Sequence, residues 1–143
     1  MESTGNSGGI IFIWDKNKFH CESWIGEQNF LAVVGKWVGV DGLVGFVNVY
    51  APNSNIERRS IWDKLHTLIL QEEVRWCIFG DFNEVRCAEE RLNTNLNQRG
   101  MEEFNEFIRD NGLLEIPMMG QKFTRISDDG TKFSKRFEVR KTV

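Results

Sequence analysis

The sequence predicts a mixed α/β (α+β) fold, in which a β-sheet is covered by helices. Runs rich in valine, phenylalanine and tryptophan at residues 30–38 and 43–50 are separated by a short glycine-containing connection, which is typical of a hairpin. Two segments with apolar residues at helical spacing follow, and short strand-like runs alternate with them. The 143 residues, 41% of them hydrophobic, are enough for one globular domain with one core.

The first predicted element is a strand at residues 10–14, an unbroken apolar run of the kind that is buried on both faces of a sheet. After the hairpin, Ser54 followed by Glu57 predicts a capping box that opens an amphipathic helix. Apolar residues then recur at helical spacing, so that charged residues such as Arg58 and Arg59 are expected largely on the opposite side.

A second buried strand is predicted at residues 76–79, and it leads directly into Gly-Asp-Phe-Asn at 80–83. Residues 86–99 are polar and predict a surface loop whose carboxylates are mostly solvated. An apolar stripe over residues 101–108 predicts a second helix, which Gly112 can terminate. Shorter strand candidates follow at residues 113–116, 122–126 and 132–139.

The charge balance excludes a global attraction to polyanions. The formal net charge is -3, so any nucleic-acid binding must rest on a local basic patch. Basic residues do concentrate late in the sequence, where they either face a phosphate backbone or form a solvated, frayed segment. They are Lys132, Lys135, Arg136, Arg140 and Lys141.

The three cysteines are odd in number and lack Cys-x-x-Cys spacing, which favours reduced thiols and an intracellular location, nuclear or cytoplasmic. Residues 1–9 are polar and glycine-rich, unlike a secretory signal peptide. No apolar run approaches the roughly 18 residues of a membrane span, so we expect a soluble chain without a membrane partner. The sequence carries no signal for an oligomeric state.

Chemistry is predicted where two strands end. The strand before Gly80 places the Asp81 carboxylate and the Asn83 carboxamide at the carboxyl edge of the sheet. In phosphodiester hydrolysis, Asp81 could orient water or a metal ion, and Asn83 could donate to a phosphate oxygen. An Asx turn at the strand end is an equally favoured alternative. A second strand end, residues 48–53, is expected to converge on the first.

These motifs resemble the endonuclease/exonuclease/phosphatase superfamily, and within it the endonucleases of plant LINE-like (non-LTR) retroelements. The resemblance implies a four-layer α/β/β/α sandwich and a Mg²⁺-dependent nuclease that acts on DNA phosphodiester bonds. It covers roughly residues 8–137 and is carried by Ser7-Gly8-Gly9, residues 48–53, residues 80–85 with Glu89-Glu90-Arg91, residues 101–108, and Gly120-x-x-Phe123-Thr124.

The resemblance also implies roles for four residues. The Tyr50 hydroxyl would contact the scissile phosphate, and Asn53 would contact substrate phosphate. Asp81 would be the acid/base or leaving-group carboxylate, and Asn83 the transition-state donor. By residue type alone, Tyr50, the single tyrosine of the chain, is more often an aromatic that packs a sheet.

Other elements of the family pattern have no counterpart. The family has a metal-binding glutamate upstream of Gly8-Gly9, a Leu-Asp pair at the position between Lys135 and Arg136, and a terminal Ser-Asp-His. We therefore expect a polar tail at residues 1–7 and an incomplete domain, truncated at both ends, at 8–143, with no intact metal site and with marginal stability or aggregation. Because the groups of such a site act as a unit, catalysis is expected to be weak.

The two histidines, His20 and His66, fall in no family motif and are expected at surface or boundary positions. The leading hypothesis is thus a catalytically impaired fragment of a retroelement-type nuclease. The alternatives are a noncatalytic module that binds nucleic acid or protein through the basic segment, and a phosphatase of the same superfamily.

Overall fold

The structure, a computed structural model, describes residues 9–71, 73–92, 95–116, 125–126, 133–134 and 137–141. The expected polar tail at 1–7 lies outside the described residues. So do Gly120, Phe123 and Thr124, and the basic residues Lys132, Lys135 and Arg136.

Within these ranges the chain forms nine strands, two α-helices and a 3₁₀ turn at Ala88–Glu90. The strands are β1 (Phe19–Glu27), β2 (Phe30–Trp37), β3 (Leu43–Tyr50), β4 (Val74–Asp81), β5 (Arg91–Leu92), β6 (Leu113–Glu115), β7 (Arg125–Ile126), β8 (Phe133–Ser134) and β9 (Phe137–Lys141). The helices are α1 (Asn55–Ile69) and α2 (Gln98–Asp110).

The main sheet is mixed and has six strands in the order β1-β2-β3-β4-β9-β6. β3 and β4 are parallel, with α1 as the connection between them, and the other neighbours are antiparallel. The short strands β5, β8 and β7 form a second, small sheet. This arrangement confirms the predicted α/β (α+β) class, including the β2–β3 hairpin, both helices and the strand that leads into Gly80.

Both helices contribute to a core on one face of the sheet, because alternate residues of β2, β3 and β4 point toward them. Trp62 of α1 stacks on Phe107 of α2 with ring centroids 5.1 Å apart. Trp76 of β4 is fully buried beside Gly45, where a β-carbon would overlap the indole ring. The glycine of β3 therefore creates the space that the largest core side chain fills.

The opposite face of the sheet carries a second group of aromatic side chains, which we call the aromatic face. Phe19 contacts Phe46 edge-on at a centroid distance of 5.4 Å, and Phe46 also contacts Trp37. Neither helix covers this side. The aromatic face consists of Phe12, Trp14, Phe19, Trp37, Phe46 and Phe79.

The predicted strand at residues 10–14 is wrong. This segment has no strand structure, and the side chains of Ile11 and Ile13 are 71% and 88% exposed. It lies on the aromatic face over the central strands β3 and β4, where Phe12 packs edge-on against Phe79 and the Asn48 side chain donates to the Ile11 carbonyl (3.4 Å). An apolar run indicates burial but supplies no ladder partner, and a strand requires one.

β1 was not predicted, because its sequence is polar and most of its residues are exposed. It is a strand by virtue of its pairing with β2, and it has an irregular register between Cys21 and Ser23. Polar composition with an irregularity is typical of an edge strand, and β1 lies at one edge of the six-stranded sheet.

Three details of the helices and loops also differ from the predictions. Ser54 occupies the N-cap of α1, but its side chain makes no capping hydrogen bond, so the capping box with Glu57 is not formed. Arg58 is buried rather than on the solvent side. The polar 86–99 segment contains the 3₁₀ turn and β5, and Glu90 accepts a hydrogen bond from the Arg86 amide (2.8 Å).

The end of α2 agrees with the sequence: Asn111 is the C-cap, and Gly112 adopts a φ of +60°. Within the described residues, neither helix has the length and apolar character that crossing a bilayer requires.

Candidate functional site

Tyr50 and Asp81 lie side by side at the carboxyl edge of the sheet. β3 and β4 run parallel with Tyr50 opposite Asp81, so the last residues of the two strands are neighbours. Val47 and Val49 point into the core under the helices, which places Asn48 and Tyr50 on alternate positions facing the other way. The structure thus brings together a phenol, which is 46% exposed, and a carboxylate.

A pocket of about 330 Å³ opens at this edge. The segment after Gly9 forms one wall, and Asn48 holds that wall in place through its hydrogen bond to the Ile11 carbonyl. Among the described residues, Asp81 is the one acidic side chain that lines the pocket. The lining consists of Gly9, Ile10, Ile11, Asn48, Val49, Tyr50, Gly80 and Asp81.

Gly80 allows β4 to approach β3 closely beside the Tyr50–Asp81 pair. Its φ is +131°, and a β-carbon there would overlap the backbone of Val49. A residue with a side chain would face both a strained backbone and this overlap. The glycine immediately before Asp81 therefore sets the distance between the two strand ends.

Two loops continue from these strand ends. The post-β3 loop comprises residues 51–54, and the post-β4 loop comprises residues 82–87. Asp81 Oδ1 accepts a hydrogen bond from the Asn83 amide (3.1 Å), which forms the Asx turn that the sequence allowed. The Asn83 backbone has a φ of +50°, in the left-handed region, and its carboxamide donates to the Ala51 carbonyl.

The backbone also joins the two loops, since the Ala51 amide donates to the Asp81 carbonyl (2.8 Å). Of the four candidate residues, the structure places Tyr50 and Asp81 in the pocket lining and leaves Asn53 and Asn83 outside it. The Asn53 side chain is exposed, and Asn83 is turned toward the post-β3 loop.

A buried ion pair behind the pocket was not predicted. Arg58 of α1 and Glu84 of the post-β4 loop approach to 2.8 Å, with side chains only 6% and 2% exposed. The spacing of Arg58 contained the signal, because it precedes Ile61 and Trp62 by three and four residues and so belongs to the buried stripe of α1. By residue type, arginine is expected on the solvent side of a helix, and Arg58 departs from that expectation.

The titratable groups of the described residues form no metal-binding cluster. Across the part of the chain that the structure describes, no three His, Cys, Asp or Glu side chains come close enough together to hold a metal ion. His20 and His66 are exposed, as expected, and His66 Nδ1 lies 2.8 Å from Asn111 Oδ1, away from the pocket. Mg²⁺ takes oxygen ligands, often one or two carboxylates together with water and substrate phosphates, and Asp81 fits such a shared site.

The mixed sheet with its parallel strand pair, backed by helices, matches solved structures of one class: the chain has the endonuclease/exonuclease/phosphatase fold. The endonuclease domain of TRAS1, a telomere-specific non-LTR retrotransposon, superimposes with a TM-score of 0.59 at 14% identity over 89% of this chain and 57% of its own. An endonuclease/exonuclease/phosphatase family protein from Bacteroides thetaiotaomicron gives 0.56 at 12% identity, over 89% and 52%.

A truncated TDP2 from Caenorhabditis elegans gives a TM-score of 0.53 at 15% identity, over 89% of this chain and 54% of its own. The chain thus spans little more than half the length of these three structures. No protein-family model matches the sequence, and no curated protein is significantly similar to it.

Proposed function

We propose that this chain contributes the β3–β4 half of a phosphodiesterase site, in a Mg²⁺-dependent nuclease of the retroelement type that acts on DNA. One observation carries the proposal: Tyr50 and Asp81 are in register on adjacent parallel strands and line the same pocket. The fold supports it, because the TRAS1 structure with this fold is an endonuclease domain of a non-LTR retrotransposon.

In the proposed reaction, the Tyr50 hydroxyl donates a hydrogen bond to a nonbridging oxygen of the scissile phosphate. Asp81 orients water or takes part in proton transfer at the leaving oxygen. Asn83 turns its carboxamide from Ala51 toward the phosphorane when DNA is bound, and Asn53 contacts phosphate at the rim of the pocket. Both asparagines are within the loops that adjoin the pocket, which supports these roles.

We also propose that Asp81 holds Mg²⁺ jointly with the substrate phosphate, where the ion would neutralise developing charge. Asp81 is the single acidic lining residue among those described, so it would hold the ion weakly, and we expect turnover by this chain to be low. The three cysteines are free, which supports an intracellular location, nuclear or cytoplasmic.

A nicking assay on supercoiled plasmid with Mg²⁺ and protein in excess tests the proposal. We expect slow nicking that EDTA stops. Asp81→Asn should lower the nicking rate by about 10²–10⁴-fold, and Tyr50→Phe should lower it by about tenfold or more. Asp63→Asn, on the exposed side of α1, is the matched control and should cut like the unaltered protein.

The outcomes separate the parts of the proposal. Nicking that survives Asp81→Asn would remove this pocket from the reaction. Fast nicking that depends on Asp81 would keep the site and contradict the low turnover. Complete absence of Mg²⁺-dependent nicking would contradict phosphodiesterase activity in this chain.

A further inference from the structure

We propose that Arg58 and Glu84 are positioning residues, which together form a clamp that fixes the post-β3 loop relative to the post-β4 loop and so sets the geometry of the pocket edge. The inference rests on the proposed function for its catalytic consequence. Its structural claim, that the clamp governs the two loops, stands on contacts alone.

On one side, the Arg58 guanidinium binds the post-β3 loop at successive positions. One terminal nitrogen donates to the carbonyls of Pro52 (3.1 Å) and Asn53 (2.8 Å). The other donates to the Asn55 side chain at the start of α1. A single side chain of α1 therefore holds the backbone that continues from Tyr50.

On the other side, the same terminal nitrogen that binds Asn55 donates to Glu84 Oε2 (2.8 Å). Glu84 Oε1 accepts from the amide of Val85 (3.1 Å), so the carboxylate is fixed to its own loop. Gly100 of α2 leaves space for this carboxylate, because a β-carbon there would overlap Glu84 Oε2. The clamp thus lies between the two loops and both helices.

Stability alone does not explain this pair. A buried ion pair costs desolvation energy on both partners, and apolar replacements of similar volume are often neutral or stabilising. What apolar groups cannot reproduce is the set of acceptors that one planar guanidinium satisfies at fixed angles. The clamp therefore supplies geometry to the two loops.

The clamp acts next to the site residues. Glu84 follows Asn83, whose strained backbone lies between the Asx turn at Asp81 and the Glu84 anchor. The Asn83 carboxamide then reaches back to Ala51, two residues before the Asn53 carbonyl that Arg58 holds. Loss of the clamp is expected to release Asn83 from its turn and widen the gap between the loops.

The test compares Arg58→Met, Arg58→Lys and the double variant Arg58→Met/Glu84→Leu with Arg59→Met. Arg59 is the neighbouring arginine and pairs with Glu103 on the helix surface, so it is the matched control. Hydrogen exchange of the Asn83 amide, measured by NMR, reports the Asx turn. Because Tyr50 is the only tyrosine, 3-fluorotyrosine labelling also gives one ¹⁹F signal at the pocket.

We expect the double variant to stay folded, since no buried charge is left unpaired, but to unfold at a lower urea concentration, because the Pro52 and Asn53 carbonyls lose their donor. Its Asn83 amide should nevertheless exchange about tenfold faster or more, because the turn opens locally, and the ¹⁹F signal should shift or broaden. Arg58→Lys should show nearly the same two changes, because a lysine cannot satisfy the acceptors that the guanidinium binds. Arg59→Met should leave the Asn83 exchange rate and the ¹⁹F signal unchanged. Single-turnover nicking should fall by about 10²-fold with DNA affinity nearly constant.

A folded double variant with unaltered Asn83 exchange and an unaltered ¹⁹F signal would overturn the clamp, whether or not the protein cuts DNA. If the exchange and fluorine signals change as expected but the unaltered protein cuts no DNA, the clamp stands and the proposed nuclease function fails. If Arg58→Met does not fold, the double variant still gives the decisive measurement.

Discussion

Asn83 combines two features that residue type alone does not reveal together. Its backbone is in the left-handed region, and its side chain bridges to Ala51 across the two loops. The sequence predicted Asp81 and Asn83 at a strand end and allowed for the Asx turn, since both follow from local chemistry. It did not predict that the Asn83 carboxamide would donate to the Ala51 carbonyl, because that contact depends on the spacing of two strands far apart in the chain.

Replacement of Asn83 separates these two features. Asn83→Gly keeps a backbone that accepts φ of +50° and loses the bond to Ala51, so we expect a loss of about 1 kcal/mol. Asn83→Ala loses the same bond and also strains the left-handed backbone, for a further loss of about 1 kcal/mol. Urea unfolding of both variants measures the difference; equal stabilities would contradict the strain at this position.

At the scale of elements, α1, α2 and the β2–β3 hairpin were predicted from periodicity, since a buried stripe or a hydrophobic hairpin leaves a strong local pattern. The failures have one cause. Residues 10–14 are apolar but pair with no strand, whereas β1 is polar and pairs with β2. In both cases the decision depends on a partner strand, which no local pattern contains.

The start of α2 offers a test of close packing. In an exposed helix, Gly→Ala stabilises by about 1 kcal/mol. At Gly100 the added methyl would overlap the Glu84 carboxylate, so we expect Gly100→Ala to destabilise by about 1–3 kcal/mol instead. Ser60→Ala, at an exposed position of α1, is the control and should stabilise slightly. A gain of stability at Gly100 in thermal unfolding would contradict the tight contact.

The α1–α2 ion pair predicts a pH dependence. The hydrogen bond from Arg59, aided by Arg99, lowers the pKa of Glu103 below its ordinary value of 4.5. A carboxylate with a lowered pKa stabilises the fold above its unfolded pKa, and this contribution is lost as the pH falls through the folded value. Arg59→Met should therefore reduce stability modestly at neutral pH and progressively less below about pH 4.5. Urea titrations across this range measure it; a constant deficit would exclude the ion pair as the cause.

At the scale of the whole molecule, the main feature of the described residues is the uneven covering of the sheet. The helices bury one face, whereas large apolar side chains remain exposed on the other side and at the β1 edge, including Trp24, which is 70% exposed. Contiguous exposed apolar surface promotes association. The sequence-based expectation of marginal stability or aggregation remains a prediction that this surface supports.

Trp24→Gln is expected to reduce self-association in sedimentation experiments, while it changes stability by no more than about 0.5 kcal/mol because the side chain is exposed. Ile56→Gln, an equally exposed apolar residue on α1, is the control and should leave association unchanged. Equal effects of the two substitutions would show that general hydrophobicity, and not this side of the sheet, drives association.

The strand order has a consequence for how the protein is made. β9 lies between β4 and β6, although both of its partners precede it in the chain. While the ribosome is still synthesising the chain, β4 and β6 have emerged with a vacancy between them. Contacts between distant segments form slowly, and an unfilled strand edge is exposed to wrong partners in the meantime. The β1–β4 part can assemble early, whereas β6 can join the sheet only after β9 has emerged from the ribosome.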